Sequence, residues 1–74
     1  MCTFVFCYNN GIKNTFEHII SAKYSLGDGD IVVDKNDLLT HSFHTGHDLH
    51  LFSNSANFTV SGNNLLYIEI QKED

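Results

Sequence analysis

The sequence predicts a mainly β fold: a compact antiparallel sandwich or small barrel of 5–7 short strands, with at most one short helical turn. Two observations predict it. Aromatic and β-branched residues come in short runs, and polar turn clusters separate those runs about every ten residues. Proline is absent, so Gly, Asn and Asp carry the punctuation. With 74 residues there is room for a single domain over residues 1–74 and one core.

The first run, Thr3 to Tyr8, leads into Asn9-Asn10-Gly11. Asn-Gly between two strand-type runs predicts a tight hairpin, because both central residues of the favoured turn need positive φ. A second strand is expected from Ile12 through Phe16 toward Tyr24, and Phe16 to Lys23 also tolerates a helical turn. Leu26-Gly27-Asp28-Gly29-Asp30 reads as a loop, and Ile31-Val32-Val33 as a short strand closed by Asp34-Lys35-Asn36-Asp37. Leu38 to His44 is expected as a strand, turning at Thr45-Gly46-His47-Asp48 into Leu49 to Phe52. Ser53 to Asn57 forms the next turn. Phe58 to Ser61 and Leu65 to Ile70 are then expected to pair as a hairpin across Gly62-Asn63-Asn64.

In the last strand Leu66, Ile68 and Ile70 alternate with Leu65, Tyr67 and Glu69, which assigns one apolar face. The charged tail Gln71 to Asp74 is expected to fray. The expected core is Val5, Phe16, Ile20, Val32, Leu39, Phe43, Leu51, Phe58, Val60, Ile68 and Ile70.

Charge limits the partners. Nine acids against four lysines and no arginine leave a net charge of −5. Nucleic-acid binders need a basic stripe, so direct binding to DNA or RNA is not expected. An acidic surface suits a protein partner with a basic groove, or simply keeps a small chain dispersed. No apolar run reaches membrane-span length, and nothing at the start resembles an export signal. The expected compartment is the cytoplasm, with Cys2 and Cys7 reduced. Their odd separation on one strand points them to opposite faces, which argues against a disulfide.

A chain this short buries only about 60% of its unfolded surface and commonly recruits a staple such as a metal, a disulfide or a second subunit. His41, His44, His47 and His50 stand three apart, with His18 further upstream. Neutral imidazole is the commonest ligand for zinc, nickel or copper, so these four, with Cys7 as a thiolate, are the expected metal set and zinc the expected cofactor. In a regular hairpin His41 and His50 would share a face, His44 would oppose them and His47 would sit in the turn. Convergence of two or three would then need a bulge or a second copy, as in a homodimer. Otherwise the imidazoles are surface groups, and zinc-finger spacing is missing.

Asp28, Asp30, Asp34 and Asp37 resemble a calcium loop only superficially. The glycine at the sixth position and the Glu at the twelfth are missing. These four acids are instead expected to meet the partner. No Gly-x-Ser-x-Gly elbow and no phosphate-binding glycine loop occurs, and Cys7 has no evident histidine partner. Glu17-His18 and His47-Asp48 are sequence neighbours that would face apart on a strand. No catalytic residues are expected, and the chain reads as a non-enzyme.

Asn10-Gly11, Asp48-Leu49-His50-Leu51-Phe52-Ser53, Phe58-Thr59-Val60-Ser61-Gly62-Asn63-Asn64-Leu65 and Ile68-Glu69-Ile70 together resemble small proteins carried by phages and mobile elements of Gram-positive bacteria. Within that group the chain is similar to the type II anti-CRISPR proteins, which include a small metal-containing member. The resemblance implies a non-enzymatic inhibitor that binds a type II CRISPR effector nuclease and blocks its use of target DNA, in the cytoplasm of a bacterial host. It carries over no residue roles. An assembly module of a phage acting through its sheet edges, and a small metal-dependent hydrolase, are the alternative expectations.

Overall fold

The computed structural model describes residues 1–73, and every regular element in them is a strand. The seven are β1 (Cys2–Tyr8), β2 (Lys13–Ile19), β3 (Ser21–Leu26), β4 (Gly29–Val33), β5 (Leu49–Phe52), β6 (Asn57–Val60) and β7 (Leu65–Lys72). They form two antiparallel sheets, ordered β2-β1-β7 and β4-β3-β5-β6. The predicted all-β class is therefore correct. The sheets do not close into a barrel, and the segment allotted a helical turn is extended.

The first hairpin forms where the sequence places it. Gly11 takes φ 87°, and its N–H donates to the Tyr8 carbonyl at 2.9 Å. Asn10 Oδ1 accepts from the Ile12 N–H at 3.0 Å, an Asx turn that fixes the corner. β2 then departs from expectation. Cys2 pairs with Ile19 and Phe4 with Phe16, so Glu17 and His18 together face one residue of β1. This is a β-bulge, and His18 absorbs it at φ 62°. One residue later the Ile20 N–H donates to the Phe52 carbonyl at 2.8 Å, and the chain has crossed to the other sheet. The single long second strand is thus two strands in two sheets.

Three more connections differ from the sequence reading. Leu26 to Asp30 is a tight turn at Gly27-Asp28 rather than an open loop, with Gly29 and Asp30 already in β4. Leu38 to His44 is not a strand. The Asp34 carbonyl accepts from the Asp37 N–H, and the Asp37 carbonyl from those of Thr40 and His41, so the chain coils through successive turns. β5 pairs with β3 and β6 instead of with residues 38–44. Finally, Ser61 to Asn64 joins β6 in one sheet to β7 in the other, so no hairpin forms there.

The core lies between the sheets: Phe4, Phe6 and Ile19 from one, Ala22, Leu49 and Leu51 from the other, and Leu38 from the coiled segment, all essentially inaccessible. Each large side chain so buried is worth about 1.5–3 kcal/mol in transfer free energy. Aromatic rings bridge the layers, with Phe4 edge-on to Phe43 at 5.7 Å and Phe16 against Phe58 at 5.0 Å.

Of the expected core, Leu51 and Val60 are buried, while Phe16, Phe43, Phe58, Ile68 and Ile70 pack against it partly exposed. The other four lie one residue from the true core position. Val5 and Ile20 are only half-buried beside Phe4, Phe6 and Ile19. Val32 is 65% exposed beside buried Val33, and Leu39 is 50% exposed beside buried Leu38. Along β1 and β4 side chains alternate, so a one-residue error in phase inverts the face, while Ile20 lies at the crossing between sheets and Leu39 in the coiled segment. β7 contains a second such slip. Tyr8 pairs with Leu65 and Cys7 with Tyr67, leaving Leu66 as an extra residue that turns outward while Leu65 turns in.

Candidate functional site

Of the four histidines of the expected metal set, His41 and His47 share Tyr24, His44 neighbours His47, and His50 stands apart on β5. His41 leaves the coiled segment beside β3, where its Nε2 lies 2.8 Å from the Tyr24 hydroxyl and its ring stands edge-on to Phe43 at 4.7 Å. His47 stacks on the same tyrosine, with ring centroids 5.6 Å apart. Exposed His44 lies 6.2 Å from His47, centroid to centroid. His50 sits on β5 opposite Thr59, whose Oγ1 is 3.2 Å from Nδ1. Cys7 belongs to the first sheet, buried between Lys13 of β2 and Tyr67 of β7. Cys2 is also buried, and both thiols are free.

Among the described residues no three His, Cys, Asp or Glu side chains are grouped as metal ligands. Structural zinc takes four protein ligands and catalytic zinc three. The donors as placed do not fit zinc within one chain: Tyr24 and Phe43 hold His41 and His47 as aromatic packing partners, and Cys7 lies in the opposite sheet. The even spacing of the four histidines has no structural counterpart, because residues 41–48 follow no regular period.

One ionic constellation escaped the sequence reading. Glu73, expected in a frayed tail, is held at the end of β7. Its Oε2 accepts from the His18 N–H at 2.7 Å and from the Thr3 hydroxyl at 2.8 Å, and its Oε1 is 2.8 Å from His18 Nδ1. These donors, led by the His18 backbone N–H, lower the Glu73 pKa from its ordinary value to about 2. The bulge that gives His18 a positive φ also brings its Nε2 to 3.8 Å from Glu17, although alternation along a regular strand would separate them. Glu73 and His18 resemble an orienting carboxylate and a base. A second carboxylate, however, stands at the nitrogen that would have to face a nucleophile. The pair clamps β1, β2 and β7 together. Asp74 lies outside the described residues.

Of the four expected partner-binding acids, Asp30 lies in β4 and the other three flank its two ends. β4 is an edge strand, and Asp28 in the preceding turn, Asp30 within it, and Asp34 and Asp37 after it are all exposed. Ile31 and Val33 point inward, so Asp30 and Val32 occupy the outer face. Asp30 Oδ1 accepts from the Ser25 hydroxyl at 2.8 Å, which orients its carboxylate. Among the described residues, none of the four forms an ion pair with lysine. Val32 presents an exposed apolar side chain near these acids, with Lys23 of β3 as its cross-strand partner and Lys35 standing between Asp34 and Asp37.

Compared with known protein families, characterised proteins and solved structures, the chain matches none. No helix among the described residues is long and apolar enough to cross a membrane.

Proposed function

We propose that this chain is a non-enzymatic binding protein that docks its acidic β4 border on a basic protein surface. The supporting observation is that Asp28, Asp30, Asp34 and Asp37, within and flanking the edge strand β4, are all exposed and outnumber the nearby Lys23 and Lys35, with no lysine salt bridge to any of them among the described residues. Such a border is an exposed acidic surface, and complementary potential would steer it to a basic, nucleic-acid-binding groove. The apolar Val32 supplies contact area in the middle of the charges, where an interface core is expected.

The resemblance to type II anti-CRISPR proteins makes the proposed target specific: a type II effector nuclease whose basic channel receives guide and target. Occupation of that channel blocks target DNA without any chemistry by the inhibitor. A zinc staple forms no part of this reading within one chain, and would require residues 41–48 to rearrange or a second copy to supply ligands.

The test is a DNA-cleavage assay with a guide-loaded type II effector. Wild-type protein is expected to inhibit at stoichiometric excess, and the variant carrying Asp28→Asn, Asp30→Asn, Asp34→Asn and Asp37→Asn to lose inhibition while remaining folded. Full cleavage in the presence of excess wild-type protein, under low-salt conditions, would overturn the proposal.

A further inference from the structure

We infer that a basic, extended segment of the protein partner adds to the free edge of β4, extending the four-stranded sheet to five. The inference rests on the acidic border proposed above and names how the partner is held there. Four strands are sheet edges: β2, β7, β4 and β6. An edge is a template for another strand unless shortness, a bulge or like charge blunts it.

Irregularity or shortness blunts three of them. β2 is bulged at Glu17 and His18, β7 is bulged at Leu66, and β6 has only four residues. β4 pairs with β3 without interruption from Gly29 to Val33, so its outer side is a regular ladder of five residues.

The tight turn sets which backbone groups face outward. Gly27-Asp28 is a two-residue loop closed by the pair Leu26–Gly29, and the closing pair of such a loop is hydrogen-bonded. Bonded and non-bonded pairs alternate along an antiparallel ladder, so Tyr24–Ile31 and Ala22–Val33 are bonded as well. Asp30 and Val32 then turn their N–H and C=O groups away from β3. Among the described residues no turn or loop backbone bonds to either of them. Their side chains are exposed on the outer face, Val32 at 65%.

Charge selects the occupant. Asp30 lies in the strand, with Asp28 and Asp34 just beyond its ends, so a second copy of β4 would set acid against acid. Lys23 already flanks Val32 on the β3 side. The residue that fits opposite Val32 is therefore apolar, and basic residues fit opposite Asp30 and beside Asp28 and Asp34. These acids and Val32 stand two apart, from residue 28 to 30 and from 30 to 32 to 34. The matching segment thus has lysine or arginine at alternate positions on both sides of one β-branched residue. Main-chain bonds hold such a strand, and the alternate side chains select it.

The test uses a synthetic peptide of that pattern, lysines and one valine alternating with threonine, at about 50 mM salt. Amide hydrogen exchange of the protein is read by NMR. Saturating peptide is expected to slow exchange at Asp30 and Val32 at least about tenfold, and to change Ile31 and Val33 little. A peptide with glutamine in place of lysine is expected not to bind. Val32→Pro removes one outward N–H, a change that edge strands tolerate, and is expected to melt near wild type. It should weaken peptide binding at least about tenfold more than Val32→Ala, which keeps that N–H. A basic peptide that does not bind, or that binds and leaves the Asp30 and Val32 amides unprotected, would overturn the inference. So would equal effects of the two Val32 substitutions, equal binding of the glutamine peptide, or protection that appears on concentrating the protein alone. No nuclease is present in this assay, so failure of strand addition is told apart from failure of the effector reading.

Discussion

Truncating Leu38 and Leu39 separately to alanine sets two neighbouring and chemically identical side chains against each other. Leu38 has no exposed surface and anchors the coiled segment between β4 and β5 in the core, whereas Leu39 is 50% exposed. Leucine-to-alanine changes at fully buried sites cost about 2–5 kcal/mol, because a cavity is added to the lost transfer free energy. At a half-exposed site only the transfer part applies, about 1 kcal/mol. A chain of 74 residues has about 4–11 kcal/mol of stability in total. Each kcal/mol moves the melting temperature of such a domain by about 4–8 °C. Leu38→Ala should therefore melt at least about 8 °C below wild type, and Leu39→Ala about 4–8 °C below it. Thermal unfolding followed by circular dichroism measures both. Equal losses, or a larger loss for Leu39→Ala, would refute the placement of the segment.

Three further perturbations follow from particular contacts. Gly62 lies against the backbone of His47, and a Cβ there would come within 2.7 Å of the His47 carbonyl carbon, so Gly62→Ala should cost about 1–3 kcal/mol in urea unfolding. Because Glu73 has its folded pKa depressed from 4.5 to about 2, the stability it confers is fully present above about pH 4.5 and is lost as pH falls toward 2. Glu73→Gln should shallow the acid limb of the stability curve measured by urea midpoints, and an unchanged limb would contradict the clamp. Because no three ligands are grouped within the described residues, treatment with a chelator should leave the melting temperature unchanged. A fall of several degrees with loss of about one zinc per chain would show that the 41–50 histidines assemble a site after all.

The parts of the fold legible in the sequence are those fixed by local chemistry. Asn9-Asn10-Gly11 marked its hairpin correctly but not through the two-residue turn expected: the central residues Asn9 and Asn10 keep negative φ, and only Gly11, closing a three-residue loop, takes a positive one. The turn between β5 and β6 was also legible, since the Ser53 hydroxyl both donates to the Ala56 carbonyl and accepts its N–H. What failed was long-range. The sheet change at Ile20, and the pairing of β7 with β1 rather than β6, depend on contacts between residues far apart in the chain. Val32 and Leu39 were misplaced because each stands beside another apolar residue, and composition alone does not set the phase of Val32-Val33 or Leu38-Leu39. At the site, the four acids were legible as a cluster because they are close in sequence. The Glu73–His18 clamp was not, since it joins residues 55 apart through a bulge.

Affinity for a type II effector as a function of salt and border charge tests the central claim most directly. Isothermal titration at about 50 and 500 mM salt should show binding that weakens at the higher concentration. Each Asp→Asn change along Asp28, Asp30, Asp34 and Asp37 should reduce both the affinity and its salt dependence. Binding that is absent at low salt, or that is tight and indifferent to both salt and the four substitutions, would contradict the account.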